Sequence, residues 1–273
     1  MKQKEYVLGS RAEELARLDF QHSVWAREQR ALCQRAGIGA GSRVMDLGSG
    51  PGFTSFELAS IVGPTGRVLA RDQSAEFLGF LAAERDRRGL EHVEVSEGPV
   101  EELELSAASL DFVYARWLFC WLPDPGQAVE RVSRFLRPGG AIVMQEYLDW
   151  GAMKLAPREP KFDRLVEACL ESWRLAKADM NVAEKMPAFA ARAGLTVEHF
   201  QIVPRLGRPG SPEWGWLYQF YETYASKLVP QGLLTAAEYA EGFATLQARP
   251  DQPDRFCITP TMADLVLRKP GPR

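Results

Sequence analysis

The stretch Val44-Met45-Asp46-Leu47-Gly48-Ser49-Gly50-Pro51-Gly52-Phe53-Thr54 constrains this chain more than any other. A short apolar strand carrying an acid runs into glycines on alternate positions, and a helix-compatible run from Phe53 to Ile61 follows. Glycines there let the backbone turn sharply and approach a ligand closely, because a Cβ would occupy the ligand's space. The turn delivers free N–H groups at the start of the next helix, which suits an anionic group. A strand–turn–helix of this kind belongs in an open α/β sheet and reads as a cradle for a nucleotide-type ligand. The dinucleotide fingerprint Gly-x-Gly-x-x-Gly would require glycine at 53, where Phe53 stands, so a nicotinamide cofactor is disfavoured.

Further signals follow in order. Gly66 to Asp72 reads as a turn and a second strand closing on an acid, about 20 residues after the glycines, where such folds place the residue that grips a ribose. Ser74 reads as the N-cap of a helix over 74–88, so the alternative for Asp72 is an exposed acid complementing that helix dipole. Leu110 to Arg116 has a buried-strand pattern. A helix over Gly126 to Leu136 leads to the turn Arg137-Pro138-Gly139-Gly140 and a strand Ala141 to Tyr147.

The acid-Gly-x-Gly-x-Gly run, the acid after strand two, strand four and the turn Arg134-Phe135-Leu136-Arg137-Pro138-Gly139-Gly140 together resemble the class I S-adenosylmethionine (SAM)-dependent methyltransferases across residues 43 to 147. The resemblance implies a Rossmann-like, doubly wound, seven-stranded mostly parallel sheet with helices on both faces, an antiparallel last strand and helical lid insertions. It implies SAM as cofactor, with S-adenosylhomocysteine (SAH) as product. The implied contacts are Asp46, Gly48, Ser49, Gly50 and Gly52 in the cradle, Asp72 with Gln73 at the ribose, and Arg116 near the methionine carboxylate. The family's Gly-Asp-Ala before strand four is replaced by Gly98-Pro99-Val100-Glu101. Pro99 offers neither an acceptor side chain nor an N–H, which leaves the backbone of Val100 or the side chain of Glu101 to read the adenine. The family's arsenite methyltransferases use several cysteines, but their strand-four cysteine would fall at Trp117.

Five segments are expected to build one integrated domain. Residues 1–40 form a helical cap, with a helix over Ala12 to Arg30, a shorter one ending near Gly37, and a lead-in Tyr6-Val7-Leu8-Gly9 seen in bacterial small-molecule methyltransferases. Residues 41–150 form the SAM-binding core and 151–181 a helical insertion. Residues 182–273 complete the sheet, with a last sheet-packing helix over 182–193 and a substrate lid at 204–254. Six aromatic residues lie between Trp214 and Tyr224. Their helical stripes read either as core or as the lining of a pocket for an apolar or aromatic substrate. Trp117, Trp150, Met153, Trp214, Trp216 and Tyr221 are the substrate-side candidates.

Methyl transfer from a sulfonium is an in-line displacement, and a base is needed only for a protonated nucleophile. His22, in the helix expected over the cofactor, is the best histidine candidate. Glu146 stands at the carboxyl end of strand five, where open sheets bind ligands, with Tyr147 beside it as a donor. The alternative for Glu146 is an ion pair with Arg116. No cluster of acids or histidines has metal-ligand spacing. Lys and Arg number 33 against 36 Asp and Glu, with no basic block, which disfavours nucleic acid. Cys33, Cys120, Cys169 and Cys257 show no pairing pattern, and no run is long and apolar enough to span a membrane. These features point to a cytoplasmic enzyme acting on a small molecule, its oligomeric state open and a homodimer among the forms allowed. The rival from another class is a SAM-binding protein without methyl transfer: a regulatory or scaffold protein, or a SAM-requiring catalyst of another reaction.

Overall fold

The computed structural model describes residues 12–247 and 254–271. The lead-in Tyr6-Val7-Leu8-Gly9 and positions 248–253 of the insertion lie outside the described residues. In chain order the elements begin with α1 (Ala12–Ala36), β1 (Arg43–Leu47), α2 (Phe53–Val62), β2 (Arg67–Asp72), α3 (Ala75–Arg88) and β3 (Val93–Glu97). Then come β4 (Leu110–Arg116), α4 (Pro125–Ser133), β5 (Leu136–Asp149), β6 (Lys154–Ala156), α5 (Pro160–Leu175) and α6 (Met186–Arg192). The chain continues with β7 (Thr196–Val203), β8 (Leu206–Gly207), α7 (Pro212–Tyr224), α8 (Ala236–Ala244), β9 (Phe256–Ile258) and β10 (Thr261–Arg268).

Seven strands form one sheet in the order β3-β2-β1-β4-β5-β10-β7, parallel except for the last strand. The order reverses between β1 and β4, which opens a crevice at their carboxyl ends. Alternation along the strands sends Val44, Val68, Phe112, Tyr114, Ala141 and Val143 to one face. There they join Leu32 and Cys33 of α1, Leu58 and Val62 of α2, and Leu81 of α3 in one core. Ser74 caps α3 through the Phe77 N–H, and Gly89 ends it in the left-handed region.

The chain divides into two compact units. One comprises residues 1–146, 183–201 and 263–273, and the other 147–182 and 202–262. The second unit holds α5, α7 and α8 with a small antiparallel sheet, β6-β9-β8, that the sequence pattern does not announce. Within it α5 and α8 approach closely: a Cβ on Gly242 would lie 2.6 Å from Leu165.

Three elements differ from expectation. The cap is a single helix to Ala36 rather than two, its end tied down by Arg268, which donates to the Ala36 carbonyl at 2.9 Å. The Arg137–Gly140 turn is part of β5, because Gly140 lies so close to β4 that a Cβ would sit 2.7 Å from the Asp111 carbonyl. The segment 182–193 splits into a 3-10 turn, Val182–Lys185, and α6, since Pro187 can open a helix but cannot donate within one.

Candidate functional site

The glycine turn between β1 and α2 is stitched to the end of β2. Gly48 and Ser49 both donate to the Arg71 carbonyl, at 2.8 and 3.0 Å, and Gly50 donates to Asp72 Oδ2 at 2.8 Å. Asp72 Oδ1 accepts from Ser74 at 2.9 Å, and the Gln73 N–H also favours the charged form. Burial nonetheless raises the Asp72 pKa above the usual aspartate range. A carboxylate offers about four lone-pair sites, so these three backbone donors leave Asp72 able to accept from a further hydroxyl.

Two observations mark the turn as built to meet a ligand. Gly50 is left-handed (φ 53°) and a Cβ placed on it would meet nothing within 4 Å. The Ser49 hydroxyl is buried with no hydrogen-bond partner among the described residues. No side chain caps α2, so its first N–H groups stay available. Asp46 has a different place. It is 2% exposed and accepts from Ser55 of α2 at 2.6 Å, so it fixes the helix to β1; burial pushes its carboxyl up to about 7.

Arg116 ends β4 beside the first turn of α2. Its guanidinium donates to Thr54 Oγ1 and His22 Nδ1, each at 3.1 Å, and to Gln29 Oε1 at 3.4 Å. All three acceptors are neutral, and no carboxylate lies within ion-pair distance of Arg116 among the described residues. The expected alternative, an Arg116–Glu146 pair, is therefore not formed. A positive charge without a counter-charge at a helix N-terminus calls for an anion. Burial, then Arg116, pushes His22 down to about 4, so this ring is neutral at pH 7. With Nδ1 accepting from Arg116, the tautomer consistent with this bond carries its proton on Nε2.

Glu146 is fully buried. Its Oε1 accepts from the Leu118 and Phe119 N–H groups at 2.8 Å each, and burial pushes its carboxyl up to about 7. Trp117 is half-buried, edge-on to Trp25 at 5.8 Å. Toward β3, the Pro99 carbonyl accepts from Arg71 at 3.1 Å and Val100 is buried. Glu101 lines a small cavity of about 50 Å³ with Pro123, Gln127 and Arg131, against the start of α4. Gln73 is exposed.

The second unit contains Tyr147, Trp150, Met153, Trp214, Trp216 and Tyr221, all at most 7% exposed. Trp150 stands edge-on to Tyr147 and Trp173 at 4.8 and 4.6 Å. Tyr221 packs on Phe162 and donates to Met153 Sδ at 3.5 Å, and Trp214 donates to the Leu246 carbonyl at 3.0 Å. These rings form the interior of their unit, and the Trp150 indole N–H is buried there without a partner among the described residues.

Sequence reading missed Gln29, Thr54 and Arg71. Thr54 was open to discovery as the second residue of a helix that follows a ligand turn; Gln29 carried no local signal. All four cysteines are buried and free, and no group of metal-ligating side chains is present among the described residues. No helix among them is long and apolar enough to cross a membrane.

A family model described as a methyltransferase domain matches residues 38–209, more than half of the chain. The chain is 34% identical over 113 residues to an arsenite methyltransferase of Aquipseudomonas alcaligenes, covering 39% of this chain and 33% of that protein. It spans between about a quarter and a half of the length of the curated relatives it matches. The fold is similar to that of the [4+2]-cyclase SpnF, with TM-score 0.60 and 19% identity, covering 90% of this chain and 82% of that one. It is also similar to phosphoethanolamine N-methyltransferase 2 of Haemonchus contortus in complex with S-adenosyl-L-methionine, with TM-score 0.58 and 18% identity, covering 89% of this chain and 52% of that one.

Proposed function

This chain belongs to the methyltransferase domain family, of the class I SAM-dependent type, and from that premise we propose that it moves a methyl group from SAM to an oxygen or nitrogen of a small, largely apolar or aromatic metabolite. Carbon is the less favoured acceptor. The observation that carries this reading is Arg116: a guanidinium held by neutral acceptors only, bonded to the first turn of an uncapped helix. The carboxylate of an amino-acid moiety answers both positive poles. The open face of Gly50 and the unpartnered Ser49 hydroxyl give the rest of the ligand its place.

When bound, SAM supplies an electrophilic methyl on a sulfonium. The chain's own residues hold and orient it: Gly48, Ser49, Gly50 and Gly52 along the turn, Asp72 with Gln73 at the ribose, and the Pro99–Glu101 segment at the adenine. Asp46 contributes by fixing α2. Positioning of this kind is worth roughly 7–11 kcal/mol in a two-reactant step. His22 serves by orienting Arg116, since its Nδ1 lone pair is already taken. On the substrate side Trp117 borders Arg116, while in the second unit the Tyr147 hydroxyl and Trp150 indole are the donors available to an acceptor molecule. Met153, Trp214, Trp216 and Tyr221 shape the apolar surroundings of Trp150 and Tyr147.

Calorimetric titration with SAM, SAH and NAD is the first test: binding of NAD alone would remove the cofactor reading. SAH release is then followed with a panel of small aromatic alcohols and amines. A second reading, a SAM-requiring catalyst without methyl transfer, is supported by the fold shared with a cyclase. Tight SAH binding with no SAH formed on any acceptor would favour it.

A further inference from the structure

Trp117 follows β4 in the left-handed region (φ 52°), which a bulky residue adopts only when its surroundings impose it. Its own N–H donates to the Gln145 carbonyl at 3.0 Å. The next two N–H groups, of Leu118 and Phe119, converge on one oxygen of Glu146 at 2.8 Å each. Consecutive N–H groups turned toward one point make a small anion-binding concavity. The other oxygen, Oε2, is buried without a hydrogen-bond partner among the described residues. A carboxylate is costly to bury, and here the two N–H groups compensate it.

The turn so fixed borders the cofactor cradle on two sides. Leu118 packs onto the glycine turn so tightly that a Cβ on Gly48 would lie 2.9 Å from Leu118 Cδ1. The Trp117 ring lies 5.1 Å from the Arg116 guanidinium, within cation–π range. One buried acid thus sets the backbone from which both side chains reach the cradle.

We propose that Glu146 is a positioning residue and not the proton acceptor: its carboxylate holds the left-handed turn after β4, which seats Leu118 against the glycine turn and Trp117 behind Arg116. For the ligand it serves, this inference rests on the SAM reading. Glu146 touches neither substrate nor cofactor in this role and acts through backbone N–H groups.

The test compares the full chain with Glu146→Gln, whose carbonyl can still accept both N–H groups, and Glu146→Leu, which has similar bulk and no acceptor. Amide hydrogen exchange at Leu118 and Phe119 should quicken roughly 100-fold in the Leu variant and stay within about threefold in the Gln variant. The SAH dissociation constant should rise about tenfold in the Leu variant and stay near wild type in the Gln variant. Unchanged exchange at both amides in Glu146→Leu would overturn the proposal. So would loss of turnover in Glu146→Gln as complete as in Glu146→Leu with SAH binding intact in both, the signature of a proton acceptor. If Glu146→Leu fails to fold, adding Trp117→Gly, which removes the left-handed penalty, should restore folding; no restoration counts against the proposal. Exchange that responds as expected in a chain that binds no SAH supports the turn assignment and removes the cofactor reading.

Discussion

Gly50→Ala and Gly52→Ala separate ligand space from core space within one turn. Both glycines are left-handed, with φ of 53° and 91°. An alanine held there costs about 1–2 kcal/mol at either position. Beyond that the two sites diverge. At Gly50 the new methyl meets nothing within 4 Å, whereas at Gly52 it would lie 2.7 Å from Leu81 Cδ1 with Leu81 Cγ closer still. Leu81 is fully buried in the core shared by α3 and the sheet and has no room to swing aside. Overpacking of this kind adds roughly 1–3 kcal/mol. Gly50→Ala should therefore lose about 1–2 kcal/mol and Gly52→Ala about 2–5 kcal/mol. For SAH affinity the order reverses. Gly50→Ala places its methyl where the ligand runs and should weaken binding at least tenfold, about 1.4 kcal/mol, while Gly52→Ala should retain binding in whatever fraction stays folded. Thermal or urea unfolding beside calorimetric SAH titration reads both. Wild-type SAH affinity in Gly50→Ala, or equal stability losses in the two variants, would refute the assignment of the Gly50 face to the ligand.

Asp72→Ala should weaken SAH binding roughly tenfold or more and Glu101→Ala by less than about threefold, since a hydrogen bond to a charged acceptor is worth about 1.5–3 kcal/mol; equal losses would move recognition away from the ribose. Arg116→Met should cost about ten- to a hundredfold in SAH affinity with a far-UV spectrum like wild type, and an unchanged dissociation constant would take the anion away from β4. Burial holds the Asp46 carboxyl near 7, so between the ordinary aspartate range and pH 7 the folded chain keeps a proton that the unfolded chain releases. Stability contributed by that proton falls as pH rises through this window, and Asp46→Asn should flatten the profile by up to about 1.4 kcal/mol per pH unit; matching slopes in the two proteins would mean Asp46 titrates normally. Tyr221→Ala and Trp214→Ala remove fully packed rings and should each cost about 3–5 kcal/mol, whereas melting points near wild type together with a selective loss of substrate use would return these rings to a pocket.

The sequence by itself determined the elements whose signals are local. Alternate glycines after a strand can only be a tight turn, Ser74 can cap α3 from three residues away, and apolar strands between helices require a parallel sheet. The order of those signals was enough to identify the family and to name Asp72 and the cradle. What depends on residues distant in the chain was not legible. Arg116 gains its acceptors from His22 and Gln29, 94 and 87 positions earlier, and Glu146 finds the Leu118 and Phe119 N–H groups rather than Arg116. The aromatic stripes of α7 have the same sequence pattern whether they line a pocket or fill a core; packing against Phe162 and Met153 inside the second unit is what buries Tyr221. A hydrogen bond or a packed ring depends on where a side chain ends after the sheet has closed, and that position is a property of the tertiary structure alone.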